Sequence, residues 1–194
     1  MRKKFYRFYG GFLSVQEKWL NKMADKGLRL VRSGRLLYEF EECQPELYQY
    51  RIEFVGQKSK ENTSDYKTFL EDMGYKVFHK NINLNYSVGK VRYRPWAEKG
   101  GRIATNATTF NRELLIVEKE NDGKPFELHT SYSDKVDYYC SLRNPWLCIF
   151  LIFGLLGIMK GYLLLGIFAV AAFIPTVLYQ VQIYKNKCAM KNYE

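Results

Sequence analysis

The forty residues from Pro145 to Tyr184 constrain the fold of this chain more than any other stretch. They contain no acidic residue, and Lys160 is their only basic one, whereas the first 143 residues carry charges every few positions. An α-helix rises about 1.5 Å per residue, so one helix through the whole stretch would run about 60 Å, twice the roughly 30 Å of bilayer hydrocarbon. A single membrane span is therefore excluded.

A hairpin of two membrane helices fits this length better, with arms near residues 145–160 and 162–184. Asn144-Pro145-Trp146 is typical of a helix start, because asparagine can cap, proline needs no N–H in the first turn, and tryptophan favours the membrane interface. The first arm would reach only about 24 Å, whereas the second is long enough to span with some tilt. Lys160 and Gly161 then lie at the tip of the hairpin.

Residues at the ends of the two arms are predicted to anchor and turn the hairpin. They are Trp146, Lys160, Gly161, Tyr162, Tyr184, Lys185 and Lys187. We interpret Lys160 as a snorkelling residue at the headgroups, because the segment offers no acidic partner for a buried charge. The other basic residues lie before and after the hairpin, so both of its ends should face the cytoplasm. We expect a multi-pass protein of the cell membrane with cytoplasmic termini.

Small residues in the hairpin predict close packing of its two helices. Gly157 and Gly161 form a G-x-x-x-G motif, and the second arm adds further small residues, which are Gly166, Ala169, Ala171 and Ala172. Such residues let helix backbones approach each other closely. Packing within the hairpin is the preferred interpretation, and a homodimer formed through the same motif is the alternative.

Residues 1–139 predict a cytoplasmic α+β domain, and residues 140–194 the membrane hairpin with a short basic tail. The patterns of apolar residues indicate two consecutive strand-helix-strand-strand units, Phe5–Glu42 and Leu47 to about Val88. Such units usually form a mostly antiparallel sheet with both helices on one face. We therefore expect one such sheet before the hairpin.

Each predicted unit contains a helix with a start and a stop signal. Ser14 and Glu17 have the spacing of a capping box, and Ser64 can cap the second helix. Gly27 and Gly74 are placed to end the two helices in the left-handed conformation.

The sequence carries no motif that predicts catalysis, a cofactor or a metal site. The four cysteines lack the short spacing of a zinc site, and the glycine-rich motifs of nucleotide-binding loops are missing. Ser64 and Lys67 have the S-x-x-K spacing of acyl-enzyme hydrolases, but a serine at a predicted helix start is expected to act as a cap. We therefore expect a protein that is not an enzyme and that has no cofactor.

The formal net charge of +10 indicates an anionic partner, either nucleic acid or anionic lipid. We prefer the anionic lipids of the inner leaflet, because the hairpin would already hold the domain against that surface. No nucleic-acid partner is expected.

Two blocks of the sequence resemble a bacterial family, the domain of unknown function 2812. The first block comprises Glu17–Gly27 (EKWLNKMADKG), Tyr38–Cys43 (YEFEEC), Pro45 and Tyr48–Arg51 (YQYR), and the second comprises Pro125–Leu128 (PFEL) followed by Asp134-Lys135. The resemblance implies no catalytic residues. It implies membrane segments at the carboxy terminus and genes that lie beside PadR-like repressors in Gram-positive bacteria.

The signature that carries this resemblance has the character of a hydrophobic core. The residues predicted to form it are Trp19, Met23, Gly27, Tyr38 and Phe40. Trp19 and Met23 would pack a helix on the sheet, Gly27 would end that helix, and the two strand aromatics would fill the facing surface.

Two functions remain open on the sequence. The first is a membrane-anchored, non-enzymatic interaction or sensory module, plausibly regulatory, with a protein partner of unknown identity. The alternative is a small-molecule-binding domain tethered to the membrane, with an aromatic pocket formed by Tyr48, Tyr50, Tyr86 and Tyr93. A filled core with an exposed apolar patch would favour the first function, and a large apolar pocket would favour the second.

Overall fold

The computed structural model describes residues 2–56, 60–82, 86–88, 91–93, 103–104, 114–124, 126, 128 and 132–191. The chain divides into two compact units, Met1–His129 and Thr130–Glu194, here called the amino-terminal domain and the helical hairpin. The predicted boundary after residue 139 lies inside a helix of the second unit.

The amino-terminal domain contains nine strands and two helices among its described residues. In chain order they are β1 (Lys3–Tyr6), α1 (Leu13–Asp25), β2 (Leu28–Ser33), β3 (Leu37–Glu42), β4 (Tyr48–Phe54), α2 (Lys60–Asp72), β5 (Lys76–Lys80), β6 (Tyr86–Val88), β7 (Val91–Tyr93), β8 (Ile103–Ala104) and β9 (Leu114–Glu120).

The strands form antiparallel three-stranded sheets with the orders β1-β3-β2, β4-β9-β5 and β6-β7-β8. The first two sheets share one topology. In each, a strand, a helix and a second strand are followed by a third strand that pairs between the first two. The predicted α+β class with antiparallel strands is confirmed, and the similarity between the two halves is a repeat of this strand-helix-strand-strand topology.

The last strand of the second repeat is not where the sequence predicted it. This strand is β9, whereas the predicted stretch before Val88 contributes β6 to a separate small sheet, in which Val88 pairs with Val91. Residues Leu114–Val117 are fully buried, and a central strand that is covered on both faces has an apolar run without alternation. The alternating residues 82–88 are instead typical of a half-exposed strand. The two repeats therefore form two sheets rather than one continuous sheet.

Helix α1 packs on the first sheet through a cluster of aromatic rings. The centroid of the Trp19 ring lies 5.0 Å from that of Tyr38, 5.5 Å from that of Phe40 and 6.3 Å from that of Phe5, all edge to face. This geometry is favourable for aromatic pairs. Tyr38 and Phe40 are fully buried, and Met23 is buried on the same helix.

The two ends of helix α1 differ in how they are capped. It begins at Leu13 after Phe12, without a side-chain cap, so the predicted capping box at Ser14 is wrong. After the helix, Gly27 has φ +73°, and a Cβ there would lie 2.7 Å from the carbonyl oxygen of Cys43. Only glycine fits such a position without strain, so the predicted left-handed stop is confirmed.

Glu17 and Asn21, one turn apart on α1, hydrogen-bond the edge of β4 that faces away from β9. The Asn21 amide nitrogen donates to the carbonyl oxygen of Tyr50, and its oxygen accepts the N–H of the same residue, both at 2.9 Å. Glu17 accepts the N–H of Ile52 at 3.1 Å. Among the described strands, β4 pairs only with β9. The side chains of Glu17 and Asn21 therefore hydrogen-bond backbone groups that would otherwise be exposed at an unpaired strand edge.

Helix α2 packs on the second sheet through a compact apolar cluster. Its buried members are Val55, Leu70, Val77, Leu115, Val117 and Phe126. The helix begins at Lys60, so Ser64 lies inside it and does not cap it. Gly74 follows the helix with φ +85°, which confirms the predicted left-handed stop.

The carboxy-terminal unit is a pair of antiparallel helices, α3 (Tyr132–Lys160) and α4 (Leu163–Lys191). Gly161 connects them with φ +67°. The predicted hairpin is confirmed, but the predicted helix start at Asn144-Pro145 is wrong because α3 continues through Pro145. A proline removes one backbone hydrogen bond, and the residues before it are held by packing on α4, where the Tyr139 and Tyr179 rings are 6.4 Å apart.

The first arm is therefore not short. The 29 residues of α3 extend about 43 Å at 1.5 Å per residue, which exceeds the hydrocarbon thickness of a bilayer.

Small residues bring the two arms together near the tip. A Cβ added to Gly157 would lie 3.4 Å from the backbone nitrogen of Gly166, and one added to Gly154 would lie 4.0 Å from the Cβ of Ala169. Gly161 forms the turn. The G-x-x-x-G motif is thus used inside the hairpin, with one glycine packing on the opposite helix and the other reversing the chain.

The contact between α1 and β4 yields a test on stability. We expect Asn21→Ala to lower the free energy of unfolding by about 1 to 3 kcal/mol, because the N–H and C=O of Tyr50 lose their partners in a buried position. The exposed neighbour Lys22 supplies the control Lys22→Ala, with an expected change below about 0.5 kcal/mol. Denaturant unfolding of the full chain in detergent micelles measures both values. Equal denaturant midpoints for the two variants would contradict the role of Asn21 in binding the edge of β4.

Candidate functional site

The hairpin presents apolar side chains outward on both helices. On α4, the buried residues form one stripe, Ala169, Ala172, Thr176, Tyr179 and Ile183. The exposed large apolar residues include Leu151, Ile152, Leu155 and Ile158 on α3 and Leu163, Leu164, Ile167, Val170 and Ile174 on α4. Both helices are long and apolar enough to cross a membrane. Such a surface is unfavourable in water and favourable in lipid.

The residues predicted to anchor and turn the hairpin occupy distinct places on it. Lys160 is the last residue of α3, and Gly161 and Tyr162 connect the helices. Trp146 lies in the middle of α3, half-buried, and not at a helix start. The remaining three lie in the last turns of α4 and are exposed, namely Tyr184, Lys185 and Lys187.

A hydrogen bond also joins the two arms on the side away from the tip. The guanidinium of Arg143 donates to the side-chain oxygen of Gln180 at 2.7 Å and to that of Asn144, also at 2.7 Å. Gln180 of α4 therefore has a hydrogen-bond partner on α3 where the apolar stretch begins.

A buried polar network lies in the amino-terminal domain around Glu118 of β9. Glu118 is 3% exposed. Its carboxylate accepts hydrogen bonds from the guanidinium of Arg29 at 2.9 and 2.7 Å and from the hydroxyl of Tyr50 at 2.7 Å. The hydroxyl of Tyr50 in turn accepts the N–H of Leu30 at 2.8 Å. The network connects β2 of the first repeat to β4 and β9 of the second.

Hydrogen bonding and burial keep the two side-chain donors of this network protonated. The hydrogen bond with Glu118 raises the pKa of Arg29, and burial raises the pKa of Tyr50. Both groups therefore act as donors to the carboxylate at neutral pH. Arg29 also lies over the ring of Tyr48, with 4.2 Å between guanidinium carbon and ring centroid. The carboxylate of Glu118 and both of its donors are therefore engaged with one another.

The sequence did not identify this network, although a signal for it exists. Glu118 follows the apolar run Leu114–Val117 directly, and an acid that continues a buried strand requires a partner. Arg29 is likewise a charged residue in a buried strand, between Leu28 and Leu30, and requires a partner for the same reason.

The four tyrosines of the predicted pocket lie on two different sheets. Tyr48 and Tyr50 belong to β4, while Tyr86 and Tyr93 pair with each other across β6 and β7. The hydroxyl of Tyr50 hydrogen-bonds Glu118, and Tyr93 is 36% exposed. The side chain of Tyr86 lies outside the described residues. The aromatic pocket at these four positions remains a prediction.

A narrow cleft surrounds Lys80, at the end of β5. Its lining comprises Arg7, Tyr9, Gly11, Gln16, Tyr38, Lys80, Asn81, Ile82 and Leu114. The ammonium of Lys80 donates to the carbonyl oxygens of Gly34 and Arg35 and lies 4.2 Å from the centroid of the Tyr38 ring. The enclosed space is on the order of one water molecule. The hydroxyl of Tyr9 is buried and has no hydrogen-bond partner within the described part of the chain, so a water fits the cleft better than an organic ligand.

The Lys80 cleft yields a prediction on pH. Burial lowers the pKa of Lys80 from 10.5 to about 8. Between these two values the unfolded chain binds more protons than the folded chain, so the contribution of Lys80 to stability rises with pH. The melting temperature of the wild type minus that of Lys80→Met should therefore increase from pH 8 towards pH 10.5. Thermal unfolding of the full chain in detergent measures the difference.

Lys76, exposed on the same strand, supplies the control for this experiment. The wild type and Lys76→Met should keep a constant difference in melting temperature over the same range. A difference for Lys80→Met that is equally independent of pH would contradict the assigned burial of the ammonium group.

The sequence of the chain matches one known family. The profile of the family described as "Protein of unknown function (DUF2812)" matches residues 13–151, from the start of α1 into α3. No match was found among curated proteins or among solved structures. The matched range includes the contacts of α1 with β4 and the network around Glu118. The chain therefore belongs to the DUF2812 family, as the sequence blocks indicated.

Proposed function

We propose that this protein is a membrane-anchored, non-enzymatic interaction or sensory module with a regulatory role. The observation that carries the proposal is the outward apolar surface of α3 and α4, which extends along both arms of the hairpin. Two paired helices of this length satisfy their backbone hydrogen bonds internally, as a bilayer requires. In this proposal both helices cross the cell membrane.

Charge placement supports cytoplasmic ends for the hairpin. Lys135 and Arg143 lie in the first half of α3, and Lys185, Lys187 and Lys191 lie at the end of α4, whereas the tip carries Lys160. The membrane side with the excess of lysine and arginine is the cytoplasmic one. The amino-terminal domain would then reside in the cytoplasm, beside a leaflet with anionic lipids.

A non-enzymatic role is supported by how the polar side chains of the domain are used. Glu17 binds the edge of β4 and Arg51, and Glu118 binds Arg29 and Tyr50. Lys67, the lysine of the S-x-x-K spacing, forms an ion pair with Glu71 at 3.3 Å. A nucleophile requires a positioned base, and these groups are engaged in structural contacts.

Exposed apolar residues support the interaction role over the small-molecule alternative. Phe69 of α2 and Met73 directly after it are 51% and 53% exposed, and exposed apolar patches mark interaction surfaces. The aromatic cleft at Lys80, in contrast, has little room for a ligand. The proposal includes a regulatory protein partner. A PadR-like repressor is one candidate for this partner, because the resemblance implied genes that lie beside such repressors.

Reporter fusions test the membrane topology. A reporter fused before Met1 and one fused after Glu194 should both report the cytoplasm, whereas one inserted after Lys160 should report the opposite side. Paired activities of alkaline phosphatase and green fluorescent protein, measured at each position, distinguish the two sides. Termini on opposite sides, or a tip in the cytoplasm, would contradict the proposal.

A further inference from the structure

The end of β1 and the turn between β2 and β3 carry exposed aromatic and basic side chains. We call this surface the β1 patch, and it consists of Lys4, Tyr6, Phe8, Arg35 and Leu36. Its apolar members are 74% (Tyr6), 59% (Phe8) and 42% (Leu36) exposed. Its two basic members are exposed as well.

The backbone holds the two parts of the β1 patch side by side. Tyr6 is opposite Leu37 in the antiparallel pairing of β1 with β3, and the N–H of Arg7 donates to the carbonyl oxygen of Leu36 at 2.9 Å. Phe5 packs on Trp19 of α1. Since side chains alternate along a strand, Tyr6 points to the sheet face away from α1, whereas the guanidinium of Arg7 lies over the Trp19 ring of α1, 5.3 Å from its centroid.

The surroundings of the β1 patch are strongly cationic. Residues 2–12 and 32–38 contain six basic residues and no acidic one. Two nearby acids are paired or buried: Glu42 forms an ion pair with Lys3 at 3.0 Å, and Glu39, opposite Lys4, is 6% exposed. Glu41, on the same strand, is half-buried. The aromatic and aliphatic groups of the β1 patch thus lie where basic residues outnumber exposed acidic ones.

Protection of a strand edge explains only part of this composition. Lysines on an edge strand such as β1 oppose pairing with another chain, which accounts for Lys3 and Lys4. It does not account for two aromatic rings left in solvent beside them. Aromatic rings and cations together are the composition of surfaces that lie in the headgroup region of anionic membranes.

We propose that the β1 patch binds the headgroups of anionic phospholipids, with Tyr6, Phe8 and Leu36 entering the interface and Lys4 and Arg35 contacting phosphates. The inference rests on the proposed function, since a membrane anchor would keep the domain beside an anionic leaflet. The β1 patch would then be a second, reversible attachment that depends on lipid charge.

Hydrogen exchange on the intact chain in nanodiscs tests the inference. One disc contains phosphatidylcholine alone, and the other contains equal parts of phosphatidylcholine and phosphatidylglycerol. We expect amides of residues 5–9 and 35–37 to exchange several-fold more slowly in the anionic disc. High salt should reduce this protection, because it screens exposed charges.

Three variants separate the contributions. Tyr6→Ser with Phe8→Ser, and Lys4→Gln with Arg35→Gln, should each abolish most of the lipid-dependent protection. The control removes two exposed cations of α1, by Lys18→Gln with Lys22→Gln, and should keep it. Melting temperatures of all three variants verify that the fold is retained.

The outcomes separate this inference from the proposed function. Correct insertion of the hairpin with equal exchange in both discs would overturn the inference alone, whereas a chain that fails to insert would overturn the proposed function. Protection that appears only with added RNA, or only at high protein concentration, would also overturn the inference. Equal losses of lipid-dependent protection in the control and in the patch variants would overturn it as well.

Discussion

The hydrogen bonds that converge on Glu118 are the constraint on which the amino-terminal domain depends. A buried carboxylate is unfavourable unless its charge and its acceptor sites are matched. Here Arg29 supplies the charge and Tyr50 a further donor. Because Arg29 belongs to β2 and Tyr50 to β4, the carboxylate is satisfied only when the two repeats adopt one relative position. The network therefore specifies how the sheets are joined, in addition to any stability that it contributes.

The same constraint orders the helix that carries the family signature. With β4 fixed by Glu118 through Tyr50, its other edge is presented to α1, where Glu17 and Asn21 bind it. Trp19 points to the aromatic cluster of the first sheet. The signature thus combines packing on one sheet with edge protection of the other. The surfaces to which we assign functions are the apolar exterior of the hairpin and the exposed β1 patch.

Local signals made much of this fold predictable, and long-range contacts made the rest unpredictable. Gly27 and Gly74 were identified because a left-handed residue at a helix end favours glycine. The hairpin was identified because one helix would be too long. The last strand of the second repeat was assigned to the alternating residues before Val88, which follow β5 closely in the chain. The strand that completes the repeat, β9, follows a long insertion, and no local pattern indicates such a pairing. The continuity of α3 through Pro145 depends on packing against α4, which a local rule for proline does not contain. The pairing of Glu118 with Arg29 joins residues 89 positions apart, and no spacing rule predicts such a partner.

Lipid accessibility along the hairpin tests the central claim of membrane anchoring most directly. A cysteine-free chain with single spin labels at Leu155→Cys, Val170→Cys and Ala172→Cys can be reconstituted in liposomes, and collisions with oxygen and with a water-soluble nickel chelate measured. Leu155 and Val170 are 61% and 64% exposed, whereas Ala172 is 2% exposed and faces the partner helix. The account predicts strong oxygen and weak nickel collisions at the first two positions, and weak collisions with both reagents at the third. Nickel collisions at Leu155 and Val170 as frequent as those of a label in water would contradict it.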